Sequence, residues 1–230
     1  MIYFSHRGAN TQRVQNTVEA FAFAHAQGAR CFELDVQMLK DGNLVIHHDY
    51  SLLHTAGIDV EVGTLTYSDL KKYPLQNPFT TGQVYIPLLD EVLPIILPDL
   101  EVVNIELKND KNRYPGLEEA VLKVVKKYPQ LKKRVLFSSF DYACLQRLRR
   151  LAPKARIGLL TRCFDIQQAL DIKAESVHMN YVQFTPQIAA QCHAHGLKMY
   201  LYVVNDSQDA RRLTQQGADG FFTDRMDLFL

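Results

Sequence analysis

Gln27-Gly28-Ala29-Arg30-Cys31-Phe32-Glu33-Leu34-Asp35 is the stretch whose reading decides the fold. Asn16 and Glu19 upstream predict a capping box that opens a helix stopping at Gly28. Residues 31–37, apolar with polar residues interleaved, predict a strand. Far downstream, Gln216-Gly217-Ala218-Asp219-Gly220-Phe221-Phe222-Thr223-Asp224 carries the same signature. Both copies read as helix end, glycine cap, strand, then an aspartate near the strand's carboxyl end. Two such units at opposite ends of the chain suit a fold assembled from repeated αβ modules.

The alternation continues between them. Candidate strands lie at 2–5, 31–37, 102–107, 134–138, 156–160, 175–178, 198–203 and 219–223, separated by helix-period segments. Thr185-Pro186 places a cap and a first-turn proline before a helix ending at Gly196, and Asp206 or Ser207 caps one ending at Gly217. Eight strands with helical crossovers predict a parallel sheet closed on itself, a TIM (β/α)8 barrel spanning residues 1–230 as a single domain. Residues 50–87 break the pattern with Gly57, Gly63, Pro74, Pro78, Gly82 and Pro87. Together with the hairpin that precedes them, they predict a small insertion at about 38–87, between strands two and three, forming a lid or substrate wall. After Asp224 only Arg225–Leu230 remain, too short for a closing helix. Another helix or a partner subunit is expected to cover that side, which leaves a homo-oligomer open.

Composition narrows the function classes. Lys plus Arg is 26 and Asp plus Glu is 25, a net charge of +1, so no global field draws the chain to nucleic acid or an anionic membrane. Lys123, Lys126, Lys127, Lys132, Lys133 and Arg134 read as a solvated helix face and its exit. Cys31, Cys144, Cys163 and Cys192 are widely spaced, and Cys31 and Cys144 fall in apolar patterns, as reduced core cysteines do. The start Met1-Ile2-Tyr3-Phe4 lacks the pattern of a signal peptide, and no apolar run reaches membrane-spanning length. A cytoplasmic enzyme is expected.

Three short segments carry the chemistry. Lys40-Asp41-Gly42-Asn43 predicts a two-residue hairpin turn joining residues 32–36 to Leu44-Val45-Ile46-His47-His48-Asp49. That register pairs Lys40 with Asn43 and sets His48 across from Asp35, so Glu33, Asp35 and His48 share one face. Two carboxylates and an imidazole together read as a metal site with an acid/base beside it, or as the wet face of a surface hairpin. His6-Arg7-Gly8 directly follows the first strand, where barrels place their active sites. It offers an acid/base and a forked cation suited to phosphate oxygens, or else an ordinary polar loop. Glu106 and Lys108, two apart on one strand, point the same way, as a structural ion pair or as a third metal ligand beside a lysine for an anionic substrate. Carboxylate ligands suit Mg2+ or Ca2+ better than Zn2+. Among the other histidines, His25, His193 and His195 read as helix surface or packing residues, and His178 lies at the end of strand six.

Together, His6-Arg7-Gly8, Asn16-Thr17, Glu33-Leu34-Asp35, His48-Asp49 and Glu106-Leu107-Lys108 resemble the glycerophosphodiester phosphodiesterase family, as do Val203-Val204-Asn205 and Thr223-Asp224. The match runs along nearly the whole chain in the family's order. The resemblance implies a TIM barrel with a small insertion between strands two and three. It implies a divalent metal on Glu33, Asp35 and Glu106, catalytic histidines at His6 and His48, and phosphate contacts from Arg7 and Lys108. The implied reaction is metal-dependent hydrolysis of small-molecule glycerophosphodiesters, such as glycerophosphocholine or glycerophosphoethanolamine, to glycerol 3-phosphate and an alcohol. Val14-Gln15 replaces the family's usual Pro-Glu, and Tyr202-Val203-Val204-Asn205 its Trp-Thr-Val-Asn, both near the substrate pocket rather than among these residues. Two rivals stand beside this reading. One is a lysophospholipase D-type enzyme, for which Leu52, Leu53, Tyr67, Leu70, Tyr73, Leu75 and Phe79 would supply an apolar entrance. The other is a non-catalytic phosphate-binding barrel.

Overall fold

A computed structural model describes residues 1–230. Strand β1 (Ile2–His6) leads to α1 (Val18–Ala26), β2 (Cys31–Met38) and a short β3 (Leu44–Ile46). Two single-turn helices, α2 (Leu53–Ala56) and α3 (Tyr67–Leu70), precede α4 (Leu89–Ile96). Strict alternation follows: β4 (Val102–Leu107), α5 (Leu117–Lys126), β5 (Val135–Ser139), α6 (Tyr142–Leu151), β6 (Arg156–Thr161), α7 (Ile166–Asp171), β7 (Ser176–Asn180), α8 (Pro186–Ala194), β8 (Lys198–Tyr202), α9 (Ser207–Gln215) and β9 (Gly220–Thr223). The strand order is β1-β9-β8-β7-β6-β5-β4-β2, and pairing of Ser5 with Phe32 and His6 with Glu33 closes the ring in parallel. Only β3 runs antiparallel, against the outer end of β2. The expected TIM barrel is present, with its eight strands within two residues of the expected bounds.

Period-two alternation sorts each strand into two faces. Phe32, Leu34 and Val36 of β2 join a buried cluster of 43 residues between the sheet and the helix layer. Cys31 faces the other way, into a barrel floor made with Phe4, Val102, Leu136, Tyr200 and Phe222. There the Phe4 and Phe222 rings stack at 4.7 Å and Tyr200 meets Phe4 edge-on at 5.5 Å. Two residues further along these strands come His6, Glu33, Asn104, Ser138, Tyr202 and Asp224. An apolar plug therefore underlies the polar residues at the carboxyl ends of the strands, which is the face that carries function in this architecture.

Helix ends explain the repeated αβ signature. Gly28 and Gly217 adopt φ of +106° and +105°, and the following Ala29 and Ala218 amides donate to Ala24 and Leu213 carbonyls at 3.0 Å each. These bonds satisfy carbonyls that a helix end leaves open, in a conformation that glycine adopts without a Cβ penalty. The start of α1 differs from expectation: Thr17, not Asn16, is the cap, accepting from the Ala20 amide at 3.2 Å, and Asn16 sits in the left-handed region at φ +58°. Asp206 rather than Ser207 caps α9.

Between Met38 and Leu89 the chain packs over its own nine buried residues, among them Leu52, Val62 and Leu70. At the other end, no closing α-helix follows β9, and Met1, Leu228 and Leu230 stay exposed there. The tail packs on β1 through Phe229, stacked on Tyr3 at 4.6 Å.

His178 stands inside the barrel, fully buried between Tyr200 and Phe222, with Nε2 2.8 Å from Ser176 Oγ and Nδ1 unpartnered. Gly158 makes room for it, since a Cβ at that position would lie 2.3 Å from Nε2. Burial holds the imidazole neutral, its pKa lowered to about 3. An unfolded histidine titrates near 6.5, so below that value the unfolded chain takes up a proton that the fold refuses. Stability should therefore fall as pH drops from about 6.5 toward 3, by up to about 1.4 kcal/mol per pH unit from this residue. Denaturant unfolding across this range should show a shallower slope in His178→Gln than in the native chain. Equal slopes would remove His178 from the account.

Candidate active site

Glu33 and Asp35 of β2 and Glu106 of β4 face one another across neighbouring strands, because the parallel register pairs Asp35 directly with Glu106. Their carboxylate oxygens lie within 4.8 Å of one another. Two cations answer them. Arg7 Nε is 3.2 Å from Asp35 Oδ2, and Lys108 Nζ is 2.9 Å from Glu106 and 3.6 Å from Asp35. Arg7, at φ +59°, also donates its backbone N–H to the Glu33 carboxylate at 3.1 Å and Nη1 to Gln15 at 2.8 Å. Asn16 spends its unusual backbone on the same group, donating Nδ2 to Asp35 Oδ2 at 2.8 Å.

Charge is not balanced. Burial alone would raise the Asp35 pKa, but Arg7 and Lys108 outweigh it and hold the carboxyl well below its ordinary range. Glu33 goes the other way: burial and then the Asp35 charge push it well up, and no side-chain cation sits on it. Glu106 is also raised by burial, against the pull of Lys108. Three acids confined with two organic cations in a low-dielectric site leave an electrostatic demand for further positive charge. The donor set fits a hard divalent cation, and Asp35 Oδ1, buried without a hydrogen-bond partner and 3.6 Å from Lys108 Nζ, is a further oxygen whose lone pairs are unused.

Two imidazoles flank the acids, each tied at Nδ1 to an aspartate. His6 Nδ1 lies 2.7 Å from Asp224 Oδ1, and its Nε2 points toward Glu33 at 3.9 Å. His48 Nδ1 lies 2.7 Å from Asp49 Oδ1. Asp224 is itself held by Asn10 and, through Oδ2, by Asn205 at 2.9 Å. Its carboxyl stays well below the usual range because the His6 and amide hydrogen bonds overcome burial. Burial dominates at His6 and lowers its pKa despite Asp224. His6, Arg7, Glu33, His48 and Glu106 line one inner cavity of about 200 Å3, walled by Phe140, Tyr202 and Phe222. An outer cavity of about 450 Å3 shares His48 and extends toward the segment after β3.

The model of the glycerophosphoryl diester phosphodiesterase family matches residues 6–228. The chain belongs to that family. It is similar to a glycerophosphodiester phosphodiesterase of Caldanaerobacter subterraneus, 34% identical over 97% of this chain and 93% of the relative. A glycerophosphodiester phosphodiesterase of Bacillus altitudinis is 35% identical over 97% of this chain and 94% of its own length. Among solved structures, an Oleispira antarctica phosphodiesterase in complex with the product sn-glycerol-3-phosphate superposes with a TM-score of 0.84 at 26% identity, covering 97% of this chain and 93% of that one.

Of the residues that the resemblance to this phosphodiesterase family singles out, His6, His48, Arg7, Glu33 and Glu106 meet on the inner cavity. Asp35 and Lys108 lie behind that wall, in contact with Glu106 and Arg7, and are almost wholly buried. The hairpin that was to deliver His48 is built differently. Val36 pairs with Ile46 and Met38 with Leu44, one residue out of the expected register, because a three-residue turn closes with Leu39 N–H on the Asn43 carbonyl and Gly42 at φ +82°. Asp35 thus faces His47, whose amide donates to its carbonyl at 3.0 Å. His48 reaches the cavity because the chain leaves the ladder there. Asp49, Asn205 and Asp224 lie in segments that carry the family resemblance, but their parts as anchors of the imidazoles and of one another were not read from sequence, and Asn10 was not singled out at all.

Glu33 yields a test that needs no substrate. Its raised pKa means that the ionised form burdens the fold at neutral pH relative to the unfolded chain. With divalent ions removed, Glu33→Gln should melt higher than the native chain at pH 8, and about 1 kcal/mol of relief would appear as roughly 2–4 °C. A lower melting temperature in Glu33→Gln would contradict the charge imbalance.

Proposed function

We propose that this chain hydrolyses glycerophosphodiesters to glycerol 3-phosphate and an alcohol, with Glu33, Asp35 and Glu106 holding a divalent metal. The observation that carries this reading is the meeting of those three acids, within 4.8 Å of one another, with two aspartate-anchored imidazoles beside them. A bound Mg2+ or Ca2+ would polarise the phosphoryl oxygens and offset the charge that develops on them. Arg7 adds a fixed cation at the cavity wall for the phosphate. Lys108 sits behind Glu106 and Asp35 and contributes its positive field from there.

The histidines divide the proton traffic. With Nδ1–H directed to an aspartate, each ring presents Nε2 as the free atom. His6 borders the inner cavity alone, beside Glu33, and takes the proton from the attacking oxygen, either of water directly or of the neighbouring glycerol hydroxyl. In the second case water opens the resulting cyclic phosphate in a further step to give glycerol 3-phosphate. His48 borders both cavities and returns a proton to the departing alcohol as the P–O bond breaks. Asp224 and Asp49 keep the rings in that tautomer and orientation.

A small, water-soluble substrate fits better than an intact lysolipid, because only three of the fifteen residues lining the outer cavity are hydrophobic. No helix is long and apolar enough to cross a membrane. Four unpaired cysteines, three of them buried, suit a reducing cytoplasm.

The decisive experiment is an EDTA-stripped assay on glycerophosphocholine and glycerophosphoglycerol with Mg2+, Ca2+ or Mn2+ added back. Turnover should vanish on stripping and return with metal, and metal should raise the melting temperature of the native chain but not of Glu106→Gln. His6→Ala and His48→Ala should each lower kcat by about 100-fold or more in correctly folded protein. Native rates in His48→Ala would overturn the assignment.

A further inference from the structure

The two cavities differ in a way that bears on the departing alcohol. The inner one, about 200 Å3, ends on the apolar floor of the barrel and is the smaller of the two. The outer one is about 450 Å3, meets it at His48, and is walled partly by the segment that follows β3. The constant glycerophosphoryl half of a substrate suits the smaller cavity, beside Glu33, Glu106 and Arg7. The variable half then extends past His48 into the larger one.

The outer wall has a definite chemical character. Arg13 lines it, its guanidinium lying 4.0 Å above the Phe23 ring with Nη1 on the Gln12 carbonyl at 2.6 Å, and it has no carboxylate partner. Asn10, Thr11 and Gln76 add amides and a hydroxyl. The single carboxylate, Asp224, is already committed, with Oδ1 on His6 and Asn10 and Oδ2 on Asn205. Phe79 is the only aromatic ring on the wall apart from the imidazoles. A quaternary or primary ammonium is recognised by several aromatic faces or by free carboxylates, and here it would meet an unpaired guanidinium instead. The hydroxyls of a polyol would find both donors and acceptors.

We propose that the outer cavity is the leaving-alcohol site and that it selects polyols, such as glycerol or inositol, over cationic amino alcohols. This rests on the phosphodiesterase reading above and narrows its substrate class. Arg13 is the residue that sets the sign of the preference.

The test compares kcat/KM of the full chain, with metal present, on glycerophosphoglycerol, glycerophosphoinositol and glycerophosphocholine. The polyol esters should be favoured by at least about tenfold, a difference of about 1.4 kcal/mol in transition-state binding. In Arg13→Glu the ratio of polyol to choline ester should drop at least tenfold, with Arg13→Gln falling between. Because the readout is a ratio, loss of folded enzyme lowers both terms and leaves it unmoved. Failure to turn over any of the three esters would sink the enzymatic reading itself. Turnover with the choline ester preferred, or a ratio unchanged by charge reversal at Arg13, would sink the assignment of the outer cavity alone.

Discussion

The structure is organised around an excess of negative charge held out of water. Glu33, Asp35 and Glu106 are brought together by the register of two adjacent strands, and Arg7 and Lys108 offset only part of their charge. Confining like charges in a low-dielectric space is costly unless each is paired and hydrogen-bonded. Much of the local oddity nearby serves that need. Arg7 and Asn16 both adopt left-handed backbone, uncommon without glycine, and both spend a donor on the acids. Lys108 gives up solvent for two carboxylates. What these contacts leave uncompensated at Glu33 is a demand for further positive charge, which the proposed metal would meet.

Beneath this layer lies the support. The floor residues and the site residues alternate along the same strands, so the packing of Phe4, Tyr200 and Phe222 positions His6, Tyr202 and Asp224 two residues on. Side chains on barrel strands have little freedom to wander, which suits acids that must stay within 4.8 Å of one another. The histidines need a further constraint, and the aspartates at 2.7 Å from each Nδ1 supply it.

Legibility in the sequence tracked how local each signal was. The strands, the glycine-capped helix ends and the closure into a barrel follow from periodicity and caps, which act over a few residues. The meeting of the acids was legible for the same reason, since alternation alone puts Glu33 and Asp35 on one face. Readings that depended on a single-residue choice failed. The cap of α1 moved from Asn16 to Thr17 because Asn16 is drawn to Asp35, a tertiary pull that no local propensity encodes. The hairpin register slipped by one because Gly42 closes a three-residue turn, yet His48 still arrived, by way of a departure from the ladder. Asp224 as the anchor of His6 spans the whole chain, from the last strand to the first; the repeat and the family match both marked Asp224, but neither gave it that partner.

The acids and the second imidazole belong to differently supported parts of the molecule. Glu33, Asp35 and Glu106 ride on barrel strands backed by 43 buried residues, whereas the segment that follows His48 rests on a separate cluster of nine. Cooperative units with small cores open at lower free energy than the global fold. Breathing of the segment would move His48 while Glu33, Asp35 and Glu106 stayed in place, so heat would loosen that wall of the cavities before it melted the barrel.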